Sequence, residues 1–296
     1  MAENIKTYSA ASGIPNEVAP PLDLEIKLMS ELYDKFNGLP DEPHRHDYFT
    51  IIWPIHAKGK HIVDFVEYEL EPNAIFFISP GQVHQLITYS KPEGFAITFS
   101  CDFLTKSMIP AEFISDLHLF SEFGKTTPIQ LHTASVVRLK PLVEQMLFIK
   151  NNHIPFKNDS LGALLKLFLI YCHSGGDEAD MNAVKPEDSG TYNVRSFRQL
   201  LDEHYKTQHS VQFYAEALNI SPDHLNRVIK SYTGKTAKEF IDDKIILEAK
   251  RMVLFSELNS KEIAYDIGFA KPSNFSNFFK KHTGLSATEF KSKKYI

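Results

Sequence analysis

The sequence has few of the residues that cross-link proteins and none of the long apolar runs that span membranes. Its 296 residues include only two cysteines, Cys101 and Cys172, which are far apart and in no paired spacing. Such cysteine usage suits a reducing cytoplasm and gives no disulfide framework or zinc site. No segment approaches the roughly 20 apolar residues that cross a bilayer, and residues 1–21 lack the apolar core of a secretion signal. We therefore expect a cytoplasmic protein with no membrane partner.

Motifs that indicate an enzyme are missing as well. The sequence contains no glycine-rich phosphate loop or Walker pattern, and those loops are what cradles nucleotide phosphates. No Ser-His-Asp or Cys-His arrangement can be placed by spacing, and the acidic pattern of a response regulator is not evident. We therefore expect no enzymatic activity, no catalytic residue and no cofactor.

Charge is distributed unevenly along the chain. Residues 186–296 hold 17 Lys and Arg against 14 Asp and Glu, a net charge of +3, whereas residues 1–185 hold 15 against 23, a net charge of −8. A mildly basic part joined to an acidic part fits a nucleic-acid-binding module on a non-binding partner. A charge of +3 is too small to establish DNA binding, so the motifs have to decide it.

Patterning divides the chain into four parts. We expect residues 1–21 to be a disordered leader and residues 22–175 to be the first folded domain. Residues 176–190 are acidic and poor in apolar groups, which predicts a flexible linker. Residues 191–296 have helical patterning throughout and are expected to form the second domain.

The first domain changes its period partway along. Short β-rich runs separated by Pro, Gly and Asn predict a small barrel or sandwich up to about Phe103. From about Thr133 to His173 the period becomes helical and predicts an antiparallel helix pair. The second of these helices either covers the barrel or forms a dimerisation surface, and its large aliphatic side chains favour dimerisation. Its apolar stripe consists of Leu161, Leu164, Leu165, Phe168, Leu169 and Cys172.

The second domain contains an internal repeat. Ser221–Ile241 and Lys271–Lys291 align without gaps at an offset of 50 residues and share seven identical positions. In the first copy, Pro222 follows an N-capping serine and Gly234 ends the helix, as such residues do at helix ends. A repeat is stronger support for a structural unit than either copy alone.

A shorter helix precedes each copy, so that each pair predicts a helix-turn-helix unit. The first short helix is Val211–Leu218, and Asn259 caps the second. The small Ala215 and Ala264 permit the two helices of each unit to cross closely, and Ala237–Phe255 predicts one long helix between the units. The alternative is an ordinary helical bundle with a duplicated core, which the coincidence of caps, turn glycines and spacing disfavours.

The outward faces of the repeated helices are short, hydrogen-bonding and cationic, with almost no carboxylate. Asn pairs with adenine, Arg with guanine, and Lys and Ser with phosphates, whereas a merely solvated helix face mixes Glu with Lys. The residues expected to contact DNA are His224, Asn226, Arg227, Lys230, Lys271, Ser273, Asn274, Ser276, Asn277, Lys280 and Lys281.

Residues from about Tyr192 to Lys291 resemble the AraC/XylS family of transcription regulators. The run KEIAYDIGF at residues 261–269, followed by PSNFSNFFKKHTG at residues 272–284, is similar to the signature of that family. The resemblance implies two helix-turn-helix subdomains on a linker helix that bind double-stranded promoter DNA, usually to activate transcription, with RNA polymerase as a partner.

The sequence departs from the family pattern at four positions. Asn277 stands where the family usually has Arg, and Ala237 and Ala287 stand where it usually has Pro. Lys271 stands where an acidic or small capping residue is common. Loss of the Arg weakens or redirects one groove contact, and Lys271 is a candidate for a phosphate contact instead.

The first domain is similar, more loosely, to the cupin-type sensor domain of the same family. The resemblance rests on Pro43–His46, Gly59, Leu70–Pro72 and Ile75–His84, with Asn73 at a position that needs a left-handed turn. It implies an α+β protein, with a cupin-like β-barrel and a helical pair followed by an all-α domain of two helix-turn-helix units. It also implies that this domain senses a small-molecule effector, and the aliphatic stripe of its second helix favours a homodimer.

Three histidines in the cupin-like region, His44, His46 and His84, are candidates for an effector pocket together with Trp53. Three imidazoles can hold a metal, but residues 47–51 lack the glutamate that enzymatic cupins add. We therefore expect no metal, and the histidines either contact an effector or pack and hydrogen-bond in the core. Trp53 either lines the pocket or belongs to the core.

Three hypotheses follow for the whole chain. The first is a one-component regulator in which an effector acting on the first domain changes how the second sits on DNA. The second is a metal-dependent cupin enzyme with an accessory DNA module, which metal analysis would reveal. The third is a regulator without a ligand that is tuned only by its oligomeric state.

Overall fold

The computed structural model describes residues 6–8, 23–64, 66–117, 119–120, 128–174 and 189–292. The chain divides into two compact units, one within residues 5–184 and one composed mainly of residues 185–296. Most of the expected leader and linker lie outside the described residues. None of the helices in the described part is both long and apolar enough to cross a membrane.

The N-terminal unit begins with strands and ends with two long helices. Its described elements are β1 (Lys6–Tyr8), β2 (Leu24–Leu28), α1 (Met29–Lys35), β3 (His44–His46), β4 (Phe49–His56), β5 (Gly59–Val63), β6 (Val66–Glu69), β7 (Ala74–Ile78), β8 (Val83–Thr88), β9 (Glu93–Phe99), α2 (Cys101–Lys106), α3 (Ala111–Asp116), β10 (Ile129–Gln130), α4 (Thr133–Asn151) and α5 (Lys157–His173).

The strands form two five-stranded sheets, ordered β1-β3-β8-β5-β6 and β10-β7-β4-β9-β2. Within the described ranges no ladder joins the sheets, so the closed barrel expected from the sequence is replaced there by two open sheets. Lys6–Tyr8, which lies within the expected leader, forms a strand that pairs in parallel with His44–His46. The cause is general, because the unpaired backbone groups of an edge strand accept any extended segment.

Side chains alternate across β4 and separate two cores. Ile52 points toward the other sheet and packs with Val63 and Phe76, whereas Ile51 and Trp53 point to the opposite face and join the core with α4 and α5. The unit is therefore layered as sheet, sheet and helices, which buries both faces of the second sheet.

The apolar stripe of α5 belongs to this helix-covered core. Leu165, Phe168, Leu169 and Cys172 have no exposed side-chain surface. The expectation that this stripe forms a dimerisation surface is therefore wrong, because these side chains cover a sheet of their own chain.

The C-terminal unit is all helical. Its elements are α6 (Ser189–His204), α7 (Val211–Ala217), α8 (Pro222–Thr233), α9 (Ala237–Phe255), α10 (Ser260–Asp266), α11 (Pro272–Thr283) and α12 (Ala287–Ser292). Both α8 and α11 have 12 residues and begin 50 residues apart, which confirms the repeat. Ala215 and Ala264 are fully buried, as close crossing of the short and long helices requires.

Helix α9 joins the two helix-turn-helix units and carries a buried charge network. Lys244 Nζ lies 2.8 Å from a carboxylate oxygen of Asp202 in α6 and 3.4 Å from Glu248. Arg251 lies 2.7 Å from the same Glu248 carboxylate. Buried charges need such partners because an unpaired one is costly, so the network fixes α9 against α6.

Candidate nucleic-acid interface and histidine cluster

The ends of α8 and α11 are defined by their caps. Ser221 Oγ accepts a hydrogen bond from His224 N–H at 3.2 Å, and Pro222 follows in the first turn. Gly234 and Gly284 end the two helices with φ of 75° and 76°, a left-handed conformation that glycine adopts at low cost. Lys271 precedes α11 without a side-chain cap, so that in this helix the capping position carries a cation instead.

The surface of α11 is polar, cationic and free of carboxylates. Phe275 and Phe279 are fully buried, and they hold the opposite side of the helix against the core. The exposed side chains are Lys271, Ser273, Asn274, Ser276, Asn277, Lys280 and Lys281. Every expected contact residue of the second unit therefore faces solvent, where it could reach an external ligand.

The corresponding surface of α8 differs in composition. Arg227 and Lys230 are exposed, and Arg227 Nη2 donates to His224 Nδ1 at 2.8 Å. Asp223 is also exposed, so that this face is less cationic than that of α11. The bond to a neighbouring imidazole restricts the guanidinium, which has five donors and can still contact a base edge with others.

Asn226 is placed differently from the other expected contact residues. It is half-buried, and its Oδ1 accepts a hydrogen bond from Ala237 N–H at 3.0 Å. This N–H belongs to the first residue of α9, where helices have no internal acceptor. Asn226 thus ties α8 to the joining helix. Its amide oxygen faces α9, whereas the sequence predicted that this side chain faces outward.

We predict that Asn226→Ala lowers the free energy of unfolding by about 1 kcal/mol, because a helix-starting N–H loses its acceptor. The matched control is Ser276→Ala at the equivalent position of the second unit, where the hydroxyl donates to Pro272 O within its own helix. We expect less than about 0.5 kcal/mol there. Urea denaturation of both variants measures the difference, and equal effects would contradict the capping role.

In the N-terminal unit, four histidines share one face of the first sheet. His44 and His84 are directly opposite each other in the β3–β8 ladder, and His46 is two residues further along β3. His61 lies on β5, two residues before the partner of His84. Because side chains two residues apart project to the same face, the register brings these imidazoles together, and all four are buried.

The imidazoles contact each other through their nitrogens. His44 Nε2 lies 3.0 Å from His46 Nε2, and His61 Nε2 lies 3.1 Å from His84 Nδ1. Burial, with a smaller contribution from the nearby His44, lowers the pKa of His46 and of His61 to about 3. Burial also lowers the pKa of His84 well below its usual value. These three side chains are therefore neutral near pH 7.

Trp53 does not belong to this cluster. It is fully buried on the other face of the second sheet, in tilted contact with Phe95 and Phe168. Of the four side chains proposed for an effector pocket, the structure brings together His44, His46 and His84 and leaves Trp53 in the helix-covered core. His61 was missed, since only the register of β5 with β8 reveals its position.

The known proteins to which this chain is similar include helix-turn-helix transcription regulators. A family model described as a helix-turn-helix domain matches residues 214–293. The HTH-type transcriptional activator RhaS of Mannheimia succiniciproducens is 22% identical over 281 residues, which cover 93% of this chain and 96% of that protein. RhaS of Escherichia fergusonii is 25% identical over 261 residues, covering 84% and 86%.

Among solved structures, ToxT from Vibrio cholerae has a TM-score of 0.41 and 16% identity, covering 90% of this chain and 97% of that one. The matched relatives are transcription regulators and not enzymes. The duplicated helix-turn-helix, its family match and the RhaS relatives show a DNA-binding transcription regulator with a helix-turn-helix domain, and its sequence is similar to that of AraC-family regulators.

Proposed function

We propose that α8 and α11 enter successive major grooves on one face of promoter DNA and that the N-terminal unit senses a small molecule. The observation that carries the DNA-binding mode is the pair of matched helices, each buried on one side and polar and cationic on the other. A recognition helix of this kind reads base edges while lysines and serines contact phosphates. In this proposal Asn274, Asn277 and Arg227 read bases.

The regulator is further proposed to activate transcription in the cytoplasm, together with RNA polymerase. The relatives named as transcriptional activators support activation. Helix α9 is a single helix whose buried charges tie it to α6. This supports a fixed spacing between α8 and α11. A fixed spacing favours two half-sites about one helical turn apart.

The sensing role of the N-terminal unit is supported by its architecture. Two facing sheets enclose a polar cluster of buried histidines next to an apolar core, an arrangement similar to a cupin-type sensor domain. Ligand sites in proteins are mostly apolar enclosures with a few converging polar groups. Asn73, which replaces the usual glycine of that domain, has a φ of 61°, so the left-handed turn expected there is confirmed.

Genome-wide capture of DNA fragments by the full-length protein tests the DNA-binding mode. We expect a motif with two half-sites about one turn apart, and an affinity that falls with salt with a log–log slope of several units. Binding to the enriched sites would be measured by fluorescence anisotropy across a salt series. Enrichment of a single, undivided half-site would contradict the use of both helices.

We also propose that the regulator is a homodimer that pairs through α4. Val137 and Phe148 are 68% and 56% exposed. They are eleven residues apart, which is about three helical turns, so they lie on the same side of the helix. The double variant Val137→Ser, Phe148→Ser is expected to weaken dimerisation at least tenfold in sedimentation velocity. The control Tyr89→Ser removes an equally exposed ring elsewhere in the unit. A monomeric wild type at micromolar concentration would refute the dimer.

A further inference from the structure

Three of the clustered histidines lie close enough together to share one metal ion. One nitrogen from each of His44, His46 and His84 lies within 4.8 Å of the other two. On a tetrahedral zinc ion, with Zn–N distances of about 2.0–2.1 Å, ligand nitrogens are about 3.4 Å apart. The His44–His46 pair, at 3.0 Å, is already near that value.

A hydrogen bond fixes which nitrogen of His44 carries its lone pair. His44 Nδ1 lies 2.7 Å from the carbonyl oxygen of Glu42, and since a carbonyl only accepts, Nδ1 must be the protonated nitrogen. The Nε2 of a neutral His44 therefore presents its lone pair to the cluster. Metal-bound histidines ordinarily donate their other N–H to a carbonyl or carboxylate in this way.

His84 is hydrogen-bonded to the fourth histidine, His61. Its Nδ1 lies 3.1 Å from His61 Nε2, whereas its own Nε2 has no hydrogen-bond partner among the described residues and is buried. A buried polar atom without a partner is uncommon and calls for an explanation, such as an ion. If His84 donates through Nδ1 to His61, its Nε2 carries the lone pair and is available to an ion.

The donor set selects the class of ion. Neutral imidazoles suit zinc, copper, nickel, cobalt and iron, whereas magnesium and calcium require oxygen ligands. Three protein ligands leave further coordination positions open, so that the ion could also bind a small anionic or polar molecule.

We propose that His44, His46 and His84 bind a divalent transition-metal ion, with His61 as the positioning residue that orients His84, and that this ion is part of the effector signal. The second half of the proposal rests on the sensing role of the N-terminal unit proposed above, whereas ion binding itself does not. β3 pairs on one side with β1 and on the other with β8. An ion held by His44, His46 and His84 would therefore cross-link two strands that are already paired.

Zinc affinity of the chelator-stripped full-length protein tests the site, measured by competition with a chromophoric chelator. We expect one ion per chain in the wild type and a tetrahedral pattern in the visible absorption bands of Co²⁺. His61→Ala should weaken zinc binding about 10–100-fold, and His46→Ala or His84→Ala should weaken it more. The control His56→Ala removes an imidazole that is 75% exposed on β4, and it should leave the affinity unchanged.

His84→Gln is a conservative variant that removes the imidazole and keeps a polar side chain. The near-UV circular dichroism of each metal-free variant is compared with that of the wild type, and a match shows that the variant is folded. A wild type that binds no zinc, or zinc binding that survives both His46→Ala and His84→Ala, would overturn the proposal. DNA binding of the stripped and zinc-loaded protein is measured separately. Failure to bind DNA in both states refutes the proposed DNA-binding mode and leaves the metal site standing. An unchanged DNA affinity on loading refutes the ion as effector.

Discussion

Replacing Gly268 by alanine is expected to lower the free energy of unfolding of the C-terminal unit by about 3 kcal/mol or more. Gly268 lies in the turn between α10 and α11 with a φ of 84°, which disfavours any side chain. A Cβ at this position would come within 2.1 Å of the backbone oxygen of Lys206. That oxygen belongs to the segment between α6 and α7. The turn of the second helix-turn-helix therefore cannot move away without displacing this segment of the first helix-turn-helix.

Gly234→Ala is the matched control for this prediction. Gly234 has a similar φ of 75°, but a Cβ there would meet nothing within 4 Å. Only the conformational cost of about 1 kcal/mol then applies. Guanidinium denaturation of the two variants separates the steric contribution from the conformational one. Equal losses would show that the contact with Lys206 has no energetic weight.

Gly268→Ala should also impair DNA binding beyond its effect on stability. The displaced turn shifts α11 relative to α8, and two half-sites on one face of the duplex require both helices at a fixed spacing. Under conditions in which the variant is folded, we expect a larger loss on a two-half-site operator than on a single half-site.

The second large effect is expected for Arg227→Ala, which should weaken specific DNA binding by about 1–3 kcal/mol, or roughly 5–150-fold, if Arg227 reads a base. Arg227 is the exposed cation in the middle of α8, and its guanidinium can form two parallel hydrogen bonds to guanine. Anisotropy titrations on the captured operator and on an operator with the contacted guanine replaced give the affinity and the loss of specificity.

Two further variants make this test decisive. Arg227→Lys keeps the charge but removes the planar pair of donors, so that it should lose specificity while retaining most of the salt dependence. Lys140→Ala removes an exposed cation from α4 in the other unit and should leave the affinity unchanged. If Arg227→Ala binds the operator as tightly as the wild type, Arg227 has no role in base reading.

The sequence determined the local structure of the DNA-binding half with good accuracy. The helix starts at Pro222 and Pro272 and the stops at Gly234 and Gly284 agree with the structure, because caps and terminal glycines act within one turn of the chain. The buried stripes and exposed faces of α8 and α11 followed from a period of 3.6 residues. The long joining helix at Ala237–Phe255 was confirmed for the same reason.

Positions that depend on contacts between distant segments were not accessible in this way. The capping role of Asn226 requires α9 to approach α8, and the burial of the α5 stripe requires the sheet that α5 covers. The clash at Gly268 arises from the neighbouring Lys206 segment, 62 residues earlier in the chain. None of these contacts can be inferred from the helix or turn in which the residue itself lies.

The N-terminal unit shows the same division most clearly. Its sequence determined that short strands precede a helix pair, and that His44, His46 and His84 are candidates for one site. Only the tertiary structure decided that the strands form two open sheets, that His61 joins the three histidines and that Trp53 does not. The reason is that the face of a strand depends on its register with partners, and one residue of slip reverses every side chain. Hydrogen bonds between strands far apart in the chain set that register.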